Sequence, residues 1–199
     1  MAASIGLGGG LRAASRLRGA DFQARRPPAE AREHAEKLGA ETCALVVPAS
    51  ETQVAGKAVR GPDGSVVYRG KIRGLAFRAV MDRSCSWWND AASSIPPAYV
   101  LEHDQIHFAL AELAARGLNA RAASLARGFQ FETSRSEELA PNAKRYVEGA
   151  IRQAMQALVE RNAAFDRDTS LGYQPDKQAA WLERVEAELR ASQRDARLR

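Results

Sequence analysis

The chain has 199 residues, of which 45% are hydrophobic, and it carries a formal net charge of +5 at pH 7. This length suits one domain with short tails, and the apolar content can fill a core, which argues against global disorder. The basic excess is small and no nucleic-acid-binding motif accompanies it, so nucleic acid is the least supported partner. No apolar run approaches the length of a membrane span.

The start of the chain, residues 1–19, is predicted to be a flexible leader, followed by one domain over residues 20–195. Residues 1–11 are apolar, but their positive charges come after the apolar part, which is the wrong order for a signal peptide. Either export by that route does not occur or the true start lies upstream. Cys43 and Cys85 are compatible with one disulfide in an exported protein or with two thiols in a reducing cytosol.

Residues 42–82 are predicted to form an antiparallel meander of three or four strands. The candidate strands, at 42–48, 52–59, 65–71 and 75–82, are rich in apolar, β-branched or alternating residues. The run Gly61-Pro62-Asp63-Gly64 is a strong turn signal between the second and third of them.

Three helices are predicted after the sheet, at about residues 98–118, from 141 to about 162 or beyond, and at about residues 175–192. Gly117 or Gly128 is a candidate end for the first helix, and Pro141 suits the first turn of the second. Residues 166–173 are expected to break the second helix. The order of elements predicts an α+β fold, in which a small antiparallel sheet packs against three helices.

Two of the three histidines, His103 and His107, are four residues apart on the first predicted helix. This spacing puts both imidazoles on one face, one turn apart, where they can bind one tetrahedral zinc ion. In H-E-x-x-H proteases the residue after the first histidine is a glutamate that serves as general base. Asp104 occupies that position here. It can do the same proton chemistry, but its reach is shorter by one methylene, so we expect a slow enzyme or none.

Several separated motifs extend this pattern over about residues 17–190. They are Leu17-x-x-x-Asp21-Phe22-Gln23 with Pro27, Ser86-Trp87, Leu101-x-His103-x-Gln105-x-His107-Phe108, Ala111-Glu112, Ala115-Arg116, Phe165-Asp166-x-Asp168-Thr169-x-Leu171-Gly172, Gln178 and Trp181. In this order they resemble a bacterial family of unknown function described as predicted secreted zinc-dependent proteases. The resemblance implies a zincin-like motif helix, a zinc ion, a peptide or protein substrate and a periplasmic or secreted location.

The chain departs from the family pattern at two chemical positions. Asp104 replaces the glutamate of H-E-Q-x-H-F, and Leu171 replaces the histidine of the late motif, which is the natural third ligand. Asp168 is our candidate for the third ligand, with Asp166 as the alternative, although both aspartates could simply stabilise the turn after the helix. His34 is expected to face solvent.

Three functions remain open at this point. The first is a zinc-dependent metallopeptidase in which His103, His107 and Asp168 hold the metal and Asp104 activates a water. The second is a catalytically impaired or inactive family member that acts as a binding or structural protein, which the two departures favour. The third is a nucleic-acid-binding protein. The N-terminus does not support export, so a cytoplasmic location also stays open.

Overall fold

The computed structural model describes residues 2–4, 11–13, 16–92 and 95–197. The α-helices are α1 (Pro97–Gly128), α2 (Leu139–Thr169) and α3 (Pro175–Arg197). The strands are β1 (Ala2–Ser4), β2 (Leu11–Ala13), β3 (Ala40–Glu41), β4 (Ala44–Pro48), β5 (Gln53–Arg60), β6 (Val66–Arg73), β7 (Phe77–Asp82), β8 (Trp87–Trp88) and β9 (Glu132–Thr133). Short 3-10 helices cover Gly19–Asp21, Ala29–Lys37 and Ser136–Glu138. The predicted α+β class is confirmed.

Two compact units divide the chain, and each is assembled from three separate segments. The first unit consists of Met1–Leu7, Val47–Arg78 and Ala115–Ala154, and the second of Gly8–Val46, Ala79–Ala114 and Met155–Arg199. Helices α1 and α2 each contribute residues to both units. The predicted leader falls partly on residues 1, 5–10 and 14–15, which lie outside the described residues, whereas its described parts include β1 and β2.

The first unit is built on a β5–β6 hairpin, paired from Gln53↔Arg73 to Arg60↔Val66. Its turn lies at the predicted glycine-proline segment, where Gly61 N donates to Ser65 O at 2.8 Å and Gly64 has a φ of 82°. A positive φ of this size suits glycine, because it has no Cβ to clash with the backbone. Strands β1 and β9 flank the hairpin, in the order β1-β5-β6-β9.

The second unit contains two further sheets, so the predicted strands do not form one meander. Strand β7 is bonded to β2 and β4 instead of continuing the hairpin, and β3 pairs with β8. A disulfide joins Cys43 and Cys85, with their Cα atoms 5.8 Å apart. The sequence left the pairing of these two cysteines open.

Helix α1 passes Gly117 and ends at Gly128, the later of its two candidate ends, and α2 extends beyond Asn162 to Thr169. The last two turns of α2 carry Phe165, which is fully buried, so tertiary packing extends the helix beyond the predicted break. This extension fixes the direction in which the aspartates near its end project.

Candidate metal centre

Helix α1 presents His103 and His107 to the same point in the second unit. Their Nε2 atoms are 3.2 Å apart, and both side chains are largely buried, with 12% and 15% of their surface exposed. The flanking residue Ile106 is fully buried, so the core side of α1 sets the direction in which the imidazoles project.

The last turns of α2 bring a carboxylate to this pair. Asp166 Oδ1 lies 3.4 Å from His103 Nε2 and 3.1 Å from His107 Nε2. Among the described residues, His103, His107 and Asp166 form the group whose ligand atoms are close enough to hold one metal ion.

The three separations match those around a small tetrahedral cation. An ion with bonds of about 2.0–2.1 Å to each ligand keeps its ligand atoms about 3.3–3.4 Å apart. The measured edges are 3.1, 3.2 and 3.4 Å. Three protein ligands leave the fourth position open, as catalytic sites require.

The side-chain amides of Gln178 and Asn162 face the Nδ1 atoms of the two imidazoles. Gln178 Nε2 donates to Tyr99 O at 3.4 Å and to Glu102 Oε1 at 3.0 Å, so Gln178 Oε1 faces His103 Nδ1, at 3.0 Å. That nitrogen must therefore carry the proton, which leaves Nε2 with its lone pair. His107 Nδ1 is similarly 3.1 Å from Asn162 Oδ1. Such outer hydrogen bonds orient metal-binding histidines and raise their basicity.

Phe165 forms the floor under both rings. It is fully buried, stacks on His103 with ring centroids 4.5 Å apart, and meets His107 edge to face at 4.9 Å. Trp181 of α3 packs behind it at 5.4 Å. The rings are thus held by packing as well as by hydrogen bonds, and the ligand geometry is set before a metal binds.

The contacts between the histidines and Asp166 shift the pKa values of the metal-free site. Burial alone would lower the pKa of His107, but its contacts with Asp166 outweigh this and raise the pKa to about 9. Burial would likewise raise the pKa of Asp166, yet its close contacts with the imidazoles of His103 and His107 hold this pKa well below its ordinary value. Proton and metal compete for the same Nε2 and carboxylate atoms.

Asp104, the predicted general base, is next to His103 in sequence and lines the same cavity as the candidate ligands. Its Oδ1 accepts a hydrogen bond from Thr42 Oγ1 at 2.7 Å, and the residue is 1% exposed. Within the described part of the chain its Oδ2 has no hydrogen-bond partner. Burial raises the pKa of Asp104 against the lowering effect of the two histidines and Thr42.

The predicted third ligand, Asp168, does not join the histidines. It is exposed and accepts a hydrogen bond from Trp181 Nε1 at 3.0 Å, while the alternative, Asp166, occupies the ligand position. Residues two positions apart on a helix are separated by about 200° around its axis, so the two aspartates project from different faces. Because residues 166–173 were expected to break the helix, the sequence did not predict that the two aspartates point in different directions.

A cavity of about 200 Å³ opens onto the three candidate ligands. Asp104, Leu171 and His34 also line it, so His34 is exposed as expected but faces this cavity. A larger cavity of about 450 Å³ in the first unit is lined by cations and phenylalanines, such as Lys71, Arg127 and Phe129. Among the described residues, no group of three that could hold a metal lies there, and the candidate ligands line the smaller cavity.

Asn162 and Thr42 were not singled out from the sequence, and Asp166 was only the alternative third ligand. Asn162, Phe165 and Asp166 occupy positions i, i+3 and i+4 of α2, and this stripe would have been the signal if the helix had been extended. Thr42 and Gln178 lie 62 and 75 residues from their histidine-helix partners. No local pattern predicts such pairings.

No protein-family model, curated protein or solved structure matches this chain. The described helices include none with the length and apolar character that a bilayer crossing requires.

Proposed function

We propose that this protein is a zinc-dependent hydrolase of peptide bonds whose metal is held by His103, His107 and Asp166. The observation that carries the proposal is the convergence of two imidazole Nε2 atoms and one carboxylate oxygen within 3.1–3.4 Å of one another. Two nitrogens and one oxygen with an open fourth position suit a catalytic zinc site. When bound, zinc would polarise a water molecule and a substrate carbonyl.

Asp104 is the candidate base for this reaction. Asp104 lines the same cavity as the histidines, and its buried Oδ2 has no hydrogen-bond partner among the described residues. The raised pKa makes this carboxylate a stronger base than that of an ordinary aspartate. Thr42 holds the other oxygen and sets the orientation of the carboxyl group. The shorter side chain, compared with glutamate, keeps our expectation of a slow enzyme.

The second candidate is a metal-binding protein without catalysis. The near-complete burial of Asp104 favours it, since a base enclosed by protein cannot easily exchange protons with the solvent. Metal binding at His103, His107 and Asp166 is common to both candidates, and hydrolysis distinguishes them.

An exported location is part of the proposal. The Cys43–Cys85 disulfide supports it, because such bonds persist in oxidising compartments and are rare in the cytosol.

Hydrolysis of an unstructured protein such as casein, before and after removal of the metal, tests the proposal. Zinc-loaded wild type should cleave it, and Asp104→Asn should lose about a hundredfold in rate while keeping its zinc. Asn has the same shape and can still accept the Thr42 hydrogen bond, so it is a matched control for folding. Equal rates in Asp104→Asn and wild type would remove the assigned base, and no cleavage by the zinc-loaded wild type would leave the non-catalytic candidate.

A further inference from the structure

The turn after α2 has an unusual backbone. Ser170, Leu171 and Gly172 have φ values of 50°, 59° and 88°, three consecutive left-handed residues. In this region the Cβ of an L-residue crowds the following carbonyl, so glycine is favoured and leucine is not. Leu171 is therefore held against its own preference.

Hydrogen bonds fix this turn beside the metal centre. Leu171 N donates to Asp166 O at 2.8 Å, Gly172 N donates to Thr169 Oγ1 at 3.2 Å, and Tyr99 OH donates to Gly172 O at 2.6 Å. The turn approaches the site so closely that a Cβ on Gly172 would lie 3.3 Å from His103 Nδ1. Backbone strain that its surroundings enforce in this way is concentrated at functional sites.

Leu171 borders two neighbouring spaces. One is the cavity of about 200 Å³ that contains the candidate ligands. The other is a recess of only about 20 Å³, whose remaining wall includes Ile95, Tyr99 and Val100. A smaller residue at position 171 would enlarge this mostly apolar recess beside the metal.

We infer that Leu171 is the specificity-determining residue of the site and limits the substrate side chain next to the scissile bond to a small apolar one. This inference rests on the proposed function. The turn itself would accept glycine or asparagine more readily than leucine, so the side chain is what the strained position retains. Because Leu171 lines the recess, its side chain takes up space that a bulky substrate side chain would need.

Metal-binding probes test this without requiring turnover. Acetohydroxamic acid and phenylacetohydroxamic acid share one chelating group and differ in the side chain that must fit. Their affinities for the zinc-loaded full chain can be measured by calorimetry in wild type, Leu171→Ala and Leu171→Met. We expect Leu171→Ala to bind the phenyl compound about tenfold more tightly than wild type, with the methyl compound within about twofold. Leu171→Met, which conserves volume, should keep the wild-type ratio.

An unchanged ratio of the two affinities in Leu171→Ala overturns the inference. If Leu171→Ala does not fold, Leu171→Gly replaces it with the same expected result, because glycine removes the side chain and adopts the positive φ without strain. Zinc content, measured before any probe is added, separates this inference from the proposed function. A wild type without zinc overturns both, whereas the expected ratios in a protein that cleaves no peptide overturn only the hydrolase.

Discussion

The Nε2 atoms of His103 and His107 face each other across 3.2 Å, while each Nδ1 lies against the oxygen of a side-chain amide. Because the amide of Gln178 fixes the Nδ1 proton of His103, the facing atom of a neutral His103 bears a lone pair. Two lone pairs at this distance repel unless a cation lies between them. In the metal-free protein a proton on His107, stabilised by Asp166, can supply that cation. A divalent metal would replace it.

The two aspartates near the end of α2 give a direct comparison of ligand assignments. Asp166→Asn removes the anionic oxygen 3.1 Å from His107 Nε2, so zinc affinity should fall by more than the roughly 10–100-fold typical of outer-shell changes. Asp168→Asn, which alters only the partner of the Trp181 indole, should bind zinc as wild type does. Competition with a fluorescent chelator measures both. The reverse order of the two affinities would restore the sequence-based choice of Asp168.

Asn162 provides a test of the outer hydrogen bond to His107. Asn162→Ala leaves His107 Nδ1 without its partner at 3.1 Å, and we expect zinc affinity to fall about 10–100-fold with the stoichiometry unchanged. Asn162→Asp retains an acceptor at the same place and should lose less. The same competition titration applies. If both variants match wild type, Asn162 does not orient the ring.

The metal-free protein should become less stable as the pH rises from 6.5 to about 9. The pKa of His107 is raised from 6.5 to about 9 in the folded state, so its contribution is fully present below 6.5 and is lost as the pH passes through 9. The loss is expected to be on the order of 3 kcal/mol, because each pKa unit corresponds to about 1.4 kcal/mol. Asp166 has the opposite sign: its lowered pKa gives stability that disappears only in strong acid.

Urea unfolding of the chelator-treated protein at pH 6 and pH 9.5 measures this loss. His107→Gln should show a smaller difference between the two pH values than wild type. Zinc must displace the His107 proton to bind, so the affinity of the protein for zinc should increase with pH up to about 9. A zinc affinity that is independent of pH would contradict the assignment of His107 as a ligand.

The disulfide is expected to support the site as well as the fold. Cys43 and Cys85 are 42 residues apart, and closing a loop of that size contributes about 4 kcal/mol in the chain-entropy model. Thr42, the partner of Asp104, is adjacent to the disulfide in sequence. The free energy of unfolding should therefore fall by about 2–4 kcal/mol in the Cys43→Ser, Cys85→Ser double variant. Wild type in reductant is the matched comparison, and an unchanged urea midpoint there would show that the bond does not stabilise the protein.

Local signals predicted the elements better than the contacts between them. The turn at residues 61–64 and the alternation around it predicted the β5–β6 hairpin, because both depend on nearby residues. The pairing of β7 with β2 and β4 was not predictable in this way, since it depends on distant segments. The spacing of His103 and His107 is likewise local, and it predicted their convergence.

The remainder of the site depends on where α2 ends. The sequence of residues 162–169 has no strong break, and only the burial of Phe165 and Thr169 in the folded protein carries the helix to its end. If α2 ended before residue 166, Asp166 and Asp168 would be equally good candidates for the third ligand. In the continuous helix, their side chains project from different faces. The resemblance to zinc-dependent proteases implies that Leu171 replaces a ligand, whereas the structure places the carboxylate of Asp166 beside the two histidines.

Zinc content tests directly whether His103, His107 and Asp166 bind a metal ion. Wild-type protein purified without a histidine tag, incubated with zinc and freed of excess metal should contain about one zinc per chain, as expected for one ligand set. His103→Ala should contain none while its circular dichroism stays close to that of wild type. A wild type that retains no zinc, or a His103→Ala variant that retains as much as wild type, would contradict the metal centre described here.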